Sequence, residues 1–181
     1  MSDRTDRIIQ EHVLWSIGAG LVPLPILDIV AVTAIQLDML KQLAALHEVR
    51  FTESEGKAWV SALAGNVLAR LGANALKLIP GIGSIIGGLS MSILSGASTY
   101  AIGQVAARHF EAGGTFGNLD MNAARRAYEE ELERGKQVAT SMSSQNKDAL
   151  DKLERLAKLK EKGVISAEDF EEQKKRILAS I

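Results

Sequence analysis

Cysteine is absent from this 181-residue chain, which excludes disulfides, thiolate metal sites and a cysteine nucleophile. Proline occurs three times and histidine three times, as His12, His47 and His109. No His-Glu-x-x-His is present and no two histidines stand four apart, so no metal site is expected. Aromatic residues make up 4% of the chain, too few to stack on bases. The formal net charge is -1, so binding nucleic acid by bulk positive charge is excluded. No Gly-x-x-x-x-Gly-Lys-Ser/Thr occurs, and no nucleophile-elbow sequence frames a serine. Catalysis therefore has no visible seat, and no cofactor is expected.

What is present is an apolar body with a charged tail. Residues 120–181 carry 13 acidic and 13 basic side chains, while residues 12–110 carry 11 charges in all. Val13–Leu37 is interrupted only by Asp28, and Leu78–Ala107 holds no charge over 30 residues. About 20 apolar residues suffice to cross a bilayer, so both runs are candidates for transmembrane or re-entrant helices. The start of the chain mixes acids with bases and shows no secretory cleavage pattern. Its expected place is the bacterial inner membrane, integral or on the cytoplasmic face, with the cytoplasm as the alternative.

Apolar residues recur at helical spacing, and the fold class read from this is all-α. Two proline-broken apolar hairpins are expected. The first joins helices at about 5–20 and 26–47 across Pro23 and Pro25. The second joins helices at about 52–79 and 84–109 across Pro80, Gly81 and Gly83. Thr52 is positioned to cap, with Glu55 as reciprocal partner. An amphipathic helix starts near Asp120. Ala139–Asn146 reads as a linker, giving a body at 1–137, a linker at 138–147 and a helix-turn-helix at 148–181. In the last unit Leu150, Leu153, Leu156 and Leu159 form a stripe. Gly163 ends one helix, and Ser166 and Asp169 cap the next, which carries Phe170, Ile177 and Leu178. So small a unit cannot bury a self-sufficient core, so Leu153, Leu156, Leu159, Phe170 and Ile177 are expected to serve self-association or docking.

Small residues mark where helices can approach closely. Ser84, Gly88, Ser92 and Gly96 stand at four-residue intervals, and Thr99, Gly103 and Ala107 run alongside. Ser61, Gly65, Ala69 and Ala73 form the counterpart stripe. Such faces suit helix association in lipid and also tight packing in a water-soluble bundle. Asp28 follows the first break. It reads as a helix-start acid, with an ion- or proton-relay role, or pairing with Arg70, as the alternative.

Several short motifs point to a family. Gly20-Leu-Val-Pro-Leu-Pro-Ile-Leu-Asp28, Ala34-Ile-Gln-Leu-Asp-Met-Leu40, Ile79-Pro-Gly-Ile-Gly-Ser84 and Tyr100-Ala-Ile-Gly-Gln104 appear in order. With these, residues 12–137 resemble the GTPase-associated, YcjF-type membrane domain of unknown function. Leu153-Glu-Arg-Leu-Ala-Lys-Leu159, Gly163-Val-Ile-Ser166 and Asp169-Phe-Glu-Glu-Gln-Lys174 make residues 148–179 similar to the short C-terminal (SHOCT) domain. The resemblance implies a bacterial helical domain that accompanies a GTPase, here a separate chain, and a tail for oligomerisation or docking. It implies no catalytic residue. The expected function is a non-enzymatic, membrane-associated protein that contacts lipid, forms homo-oligomers and serves as a scaffold. A soluble helical-bundle adaptor is one alternative. The other is a small channel or transporter subunit using Asp28 and the proline breaks.

Overall fold

The structure, a computed structural model, describes residues 2–20, 25–75 and 91–178, with side chains for 2–20, 30–65 and 91–178. Among these residues every regular element is helical. The order is α1 (Asp3–Ala19), α2 (Pro25–Leu46), α3 (Glu53–Ala75), α4 (Met91–Glu111), a 3-10 turn (Phe116–Asn118), α5 (Met121–Gln145), α6 (Lys147–Glu161) and α7 (Ala167–Leu178).

The helix ends follow from local chemistry. Ser2 opens α1 by accepting from the Thr5 N–H. Pro25 occupies the first position of α2, where its missing N–H costs nothing. The Thr52 hydroxyl accepts from the Glu55 N–H and donates to the Glu55 carboxylate, so the pair works through side chains at the α3 start. Asp120 caps α5 by accepting from the N–H groups of Asn122 and Ala123. Gly163, at φ 69°, closes α6, with its N–H on the Lys160 carbonyl and that of Val164 on Leu159.

α1 and α4 form the centre. α5 lies along α4, α2 against both α1 and α4, and α3 outside α2. The approach is close because glycine faces the neighbour. A Cβ on Gly96 would stand 2.6 Å from Ile17 Cγ1, and one on Gly103 would stand 2.9 Å from Ile9 Cγ1. On the other side of α4, a Cβ on Gly135 of α5 would lie 2.6 Å from the Ala97 carbonyl oxygen. Backbone cannot swing aside as a side chain can, so Gly135 fixes the α4–α5 separation. The apolar core runs from Ile9, Val13 and Ile17 through Met39, Leu40 and Leu43 to Ala101, Ile102 and Val105.

One expectation is corrected. The segment expected as a linker is helical: α5 continues through Gln145 with Ala139 fully buried, and only Asn146 separates it from α6. The serines and threonines that suggested a linker satisfy themselves inside the helix. Thr140 and Ser144 donate to the carbonyls of Lys136 and Thr140, one turn back. The described residues hold none of the expected transmembrane helices, and residues 78–90 of the second run lie outside them. Among the described residues, no helix is long and apolar enough to cross a membrane. The uncharged runs are divided between elements: Val13–Ala19 completes a helix whose first half is charged, and α4 carries Ser92, Thr99 and Gln104 through its apolar stretch.

The end of α1 is apolar because it is wrapped. Ile17 meets α4 at Gly96, while a Cβ on Gly18 would stand 3.3 Å from both Leu153 of α6 and Leu178 of α7. The tail thus folds back onto the body.

The close approach at Gly135 predicts that Gly135→Ala destabilises the protein by about 1–3 kcal/mol in chemical denaturation, through overpacking. Gly65 meets no described residue within 4 Å. Gly65→Ala is therefore expected to stabilise by roughly 0.5–1 kcal/mol through backbone entropy.

Candidate functional site

The proline-broken end of the bundle is the candidate site. There α1 ends, α2 begins, and α4 begins. A Cβ on Gly20 would stand 2.8 Å from Ser92 Cα, so the exit from the first helix and the start of α4 touch. Apolar side chains are left uncovered nearby: Val30 on α2 is 61% exposed and Met91 on α4 is 45% exposed. Ala34 is exposed as well. The stretch that joins α1 to α2 is nearly free of charge, since Asp28 is the only charged residue between Glu11 and Asp38.

The opposite end is closed by pooled aromatics. Trp59 stacks on Phe110 with ring centroids 5.6 Å apart, and Phe116 packs 4.6 Å from Trp59. The Trp59 indole N–H donates to the Phe116 carbonyl, and His109 Nε2 donates to Thr115 O and Asn118 Oδ1. Phe51 completes the cluster edge-on to Phe116. His47 sits beside Phe110 with its Nε2 buried and unpaired among the described residues.

Polar side chains cross the middle. The hydroxyls of Ser16 on α1 and Thr99 on α4 are 2.8 Å apart. Gln36 of α2 donates to Thr99 at 3.2 Å and to Ser98 at 3.3 Å. Tyr128 of α5 donates to Ser98 at 2.9 Å, so one network joins four helices. Burial pushes the Tyr128 hydroxyl up to about 12, against the lowering effect of Ser98, which keeps it a donor. Near α1, fully buried His12 holds the Ile8 carbonyl at 2.7 Å through Nδ1 and Asp38 at 3.1 Å through Nε2. The family-like segment Ala34–Leu40 therefore supplies Gln36 and Asp38 as ties between helices.

Glu131 of α5 is 1% exposed, yet Arg108 and Arg134, 52% and 63% exposed, both reach its Oε1, at 2.7 and 2.8 Å. Its Oε2 has no partner among the described residues. Burial, and next the Glu131 charge, push the nearby Tyr100 hydroxyl above the usual tyrosine range. No group of three His, Asp or Glu able to hold a metal ion occurs among the described residues.

The residues singled out from sequence are dispersed. Gly96 and Gly103 lie at the α1 contact, and Ser92 is buried beside Gly20. Ser61 is exposed, and Gly65 meets no described residue within 4 Å. Ala69, Ala73 and Arg70 lie in α3 with side chains outside the described residues. Pro23, Pro80, Gly81, Gly83, Ser84 and Gly88 also lie outside them. Pro25 and Asp28 occupy the first turn of α2, the Asp28 side chain again being outside. In the tail Leu153 and Phe170 are buried and Ile177 packs against the core, whereas Leu159 is 38% exposed. The buried line of α6 is Leu150, Leu153 and Ala157, because spacing of three drifts off one face where three and four alternate.

Sequence reasoning missed Gly18, Gly135, Gln36, Glu131 and the His12–Asp38 pair. Gly135 and Glu131 carried a signal: Ala124, Tyr128, Glu131, Gly135 and Ala139 form one helical stripe through a charged segment.

Two predictions follow from this chemistry. Removing both guanidinium groups (Arg108→Ala with Arg134→Ala) leaves a buried carboxylate unpaired and is expected to cost about 3–5 kcal/mol in denaturation. Glu131→Gln leaves two solvated cations and should cost less. For Tyr128, an unfolded hydroxyl ionises near 10 and the folded one at about 12. Stability should be full below pH 10 and fall as pH rises towards 12. Tyr128→Phe should flatten that part of the stability-versus-pH curve; a curve unchanged in slope would contradict the assignment.

Comparison with known proteins gives the chain its relatives. The family described as "Domain of unknown function (DUF697)" matches residues 3–137, and the "Short C-terminal domain" (SHOCT) matches residues 151–178. Magnetosome membrane protein 22 of Magnetospirillum gryphiswaldense is 37% identical over 149 residues, covering 80% of this chain and 76% of that protein. No solved structure matches. With three-quarters of its length matched, the chain belongs to the DUF697 family of unknown function and ends in a SHOCT domain.

Proposed function

We propose that this protein is a non-catalytic helical scaffold that works at a bacterial membrane. The observation that carries the reading is its similarity, over most of both chains, to a protein named as a magnetosome membrane protein. The proline-broken end supports it. Val30, Ala34 and Met91 present apolar surface there, in a stretch nearly free of charge. No described helix is both long and apolar enough to cross, and the mode of attachment we favour is interfacial, with this end lying among lipid headgroups and upper acyl chains. Self-assembly through the tail, and service as the membrane partner of a separate GTPase chain, complete the proposal. Both rest on what the family resemblance implies.

A soluble adaptor is the second reading, and the wrapped, tightly packed α1–α4 centre favours it.

Membrane fractionation of the full chain tests the choice. The proposal expects the protein in the membrane pellet and released by alkaline carbonate, with Val30→Glu and Met91→Glu together shifting it to the supernatant. Wild-type protein recovered cleanly in the supernatant would overturn it in favour of the soluble adaptor. Retention through carbonate would replace interfacial attachment with integral insertion.

A further inference from the structure

The tail is a separate hairpin held to the body by one face and one residue. α6 and α7 seal Phe170 between them, with the Lys160 ammonium 4.5 Å from the ring centre. The hairpin then spends Leu153 and Leu178 on α1 at Gly18. Leu150 and Leu153 join the buried core there, and Ile177 and Leu178 pack against it. Between α1, α5 and α7 a 440 Å³ groove remains, lined by Leu14, Trp15, Met142, Asn146 and Leu178 among others.

Asn146 alone joins α5 to α6, serving as the last cap of one and the first of the other. The helical hydrogen-bond pattern nearly continues across it. Its N–H reaches the Met142 carbonyl at 3.0 Å, and the Leu150 N–H reaches its own carbonyl at 3.0 Å. Its backbone stands at φ -106° and ψ 24°. Rotations of roughly 65° in ψ and roughly 45° in φ bring it to helical values. α5 and α6 would then form one helix from Met121 to Glu161, about 60 Å long. The α6–α7 hairpin would leave its own α1 and project past the bundle.

We propose that the α6–α7 hairpin is an exchangeable strap, docked on Gly18 of its own chain in the monomer and on Gly18 of a second copy in a dimer. The occupant is a second copy because its tail fits this face by construction, which is the low-cost route to a dimer. A single-residue connection favours exchange over other modes, since one turn of backbone decides between the two arrangements. Undocking bares Gly18 on α1, and the second copy's hairpin covers it again in the dimer. The inference rests on the self-assembly part of the proposed function and is independent of membrane attachment.

The absence of native cysteine makes the test specific. Gly18→Cys and Leu153→Cys are placed in one chain, and also in two separate chains mixed in equal amounts at high concentration. Both samples are treated with a short bis-maleimide without detergent or lipid. Leu178→Cys replaces Leu153→Cys in a second pair, should the first fail to fold. The strap predicts an intramolecular link in the double variant when dilute. In the mixture it predicts a covalent dimer with one chain of each kind. Adding Asn146→Ala should raise the dimer at least about threefold, the ratio expected from the helix propensities of Asn and Ala. An intramolecular link with no mixed dimer at any concentration would overturn exchange. If light scattering still showed dimers then, self-assembly would survive through another surface. Absence of links in every sample, with folded protein, would overturn the docked strap itself.

Discussion

The close approach of α1 and α4 is the constraint on which the rest of the structure depends. Gly96 and Gly103 leave no room for a side chain against Ile17 and Ile9, so the two helices are drawn together over two turns. At that separation the Ser16 and Thr99 hydroxyls can meet, and Gln36 can join them from α2. Buried polar groups are costly unless paired, so this small network selects one register among the helices. Gly135 then sets α5 against the other side of α4 at backbone distance. Tyr128 closes the network from that helix.

That arrangement also accounts for the described parts of the long uncharged stretches in α1 and α4. A helix surrounded on all sides reads as apolar all round, in water or in lipid. α1 reaches this condition in its second half, where α4 covers one side and the folded-back tail the other. α4 reaches it between α1, α2 and α5. What burial by described residues leaves unexplained is the start of α2, where Val30 and Ala34 remain exposed. Apolar surface that the bundle does not use is what the membrane reading draws upon.

Much of this was legible in the sequence, because the signals were local. The start of α2 at proline, the start of α5 at Asp120, the cap at Ser166 and the glycine end of α6 are decided within a few residues of each position. Features set by distant partners were not legible. Ser, Thr and Asn between 140 and 146 have low intrinsic helix preference, and packing of Ala139 and Met142 overrode it. Two small-residue stripes of the same pattern met different surroundings, close contact on α4 and no described neighbour at Gly65. Pattern shows that a helix can be approached, and only the fold decides which helix approaches it. The buried Glu131 drew two arginines from different helices, a match that spacing within α5 could supply only in part.

Native-state hydrogen exchange tests the central role of the α1–α4 contact most directly. If the contact holds the fold together, amides of residues 9–17 and 97–106 should exchange only by global unfolding. Their opening free energies should equal the stability measured by denaturation. The amides of α6 and α7 should open at lower free energy. Opening of α1 well below the global value, while α4 and α5 stay protected, would contradict the account.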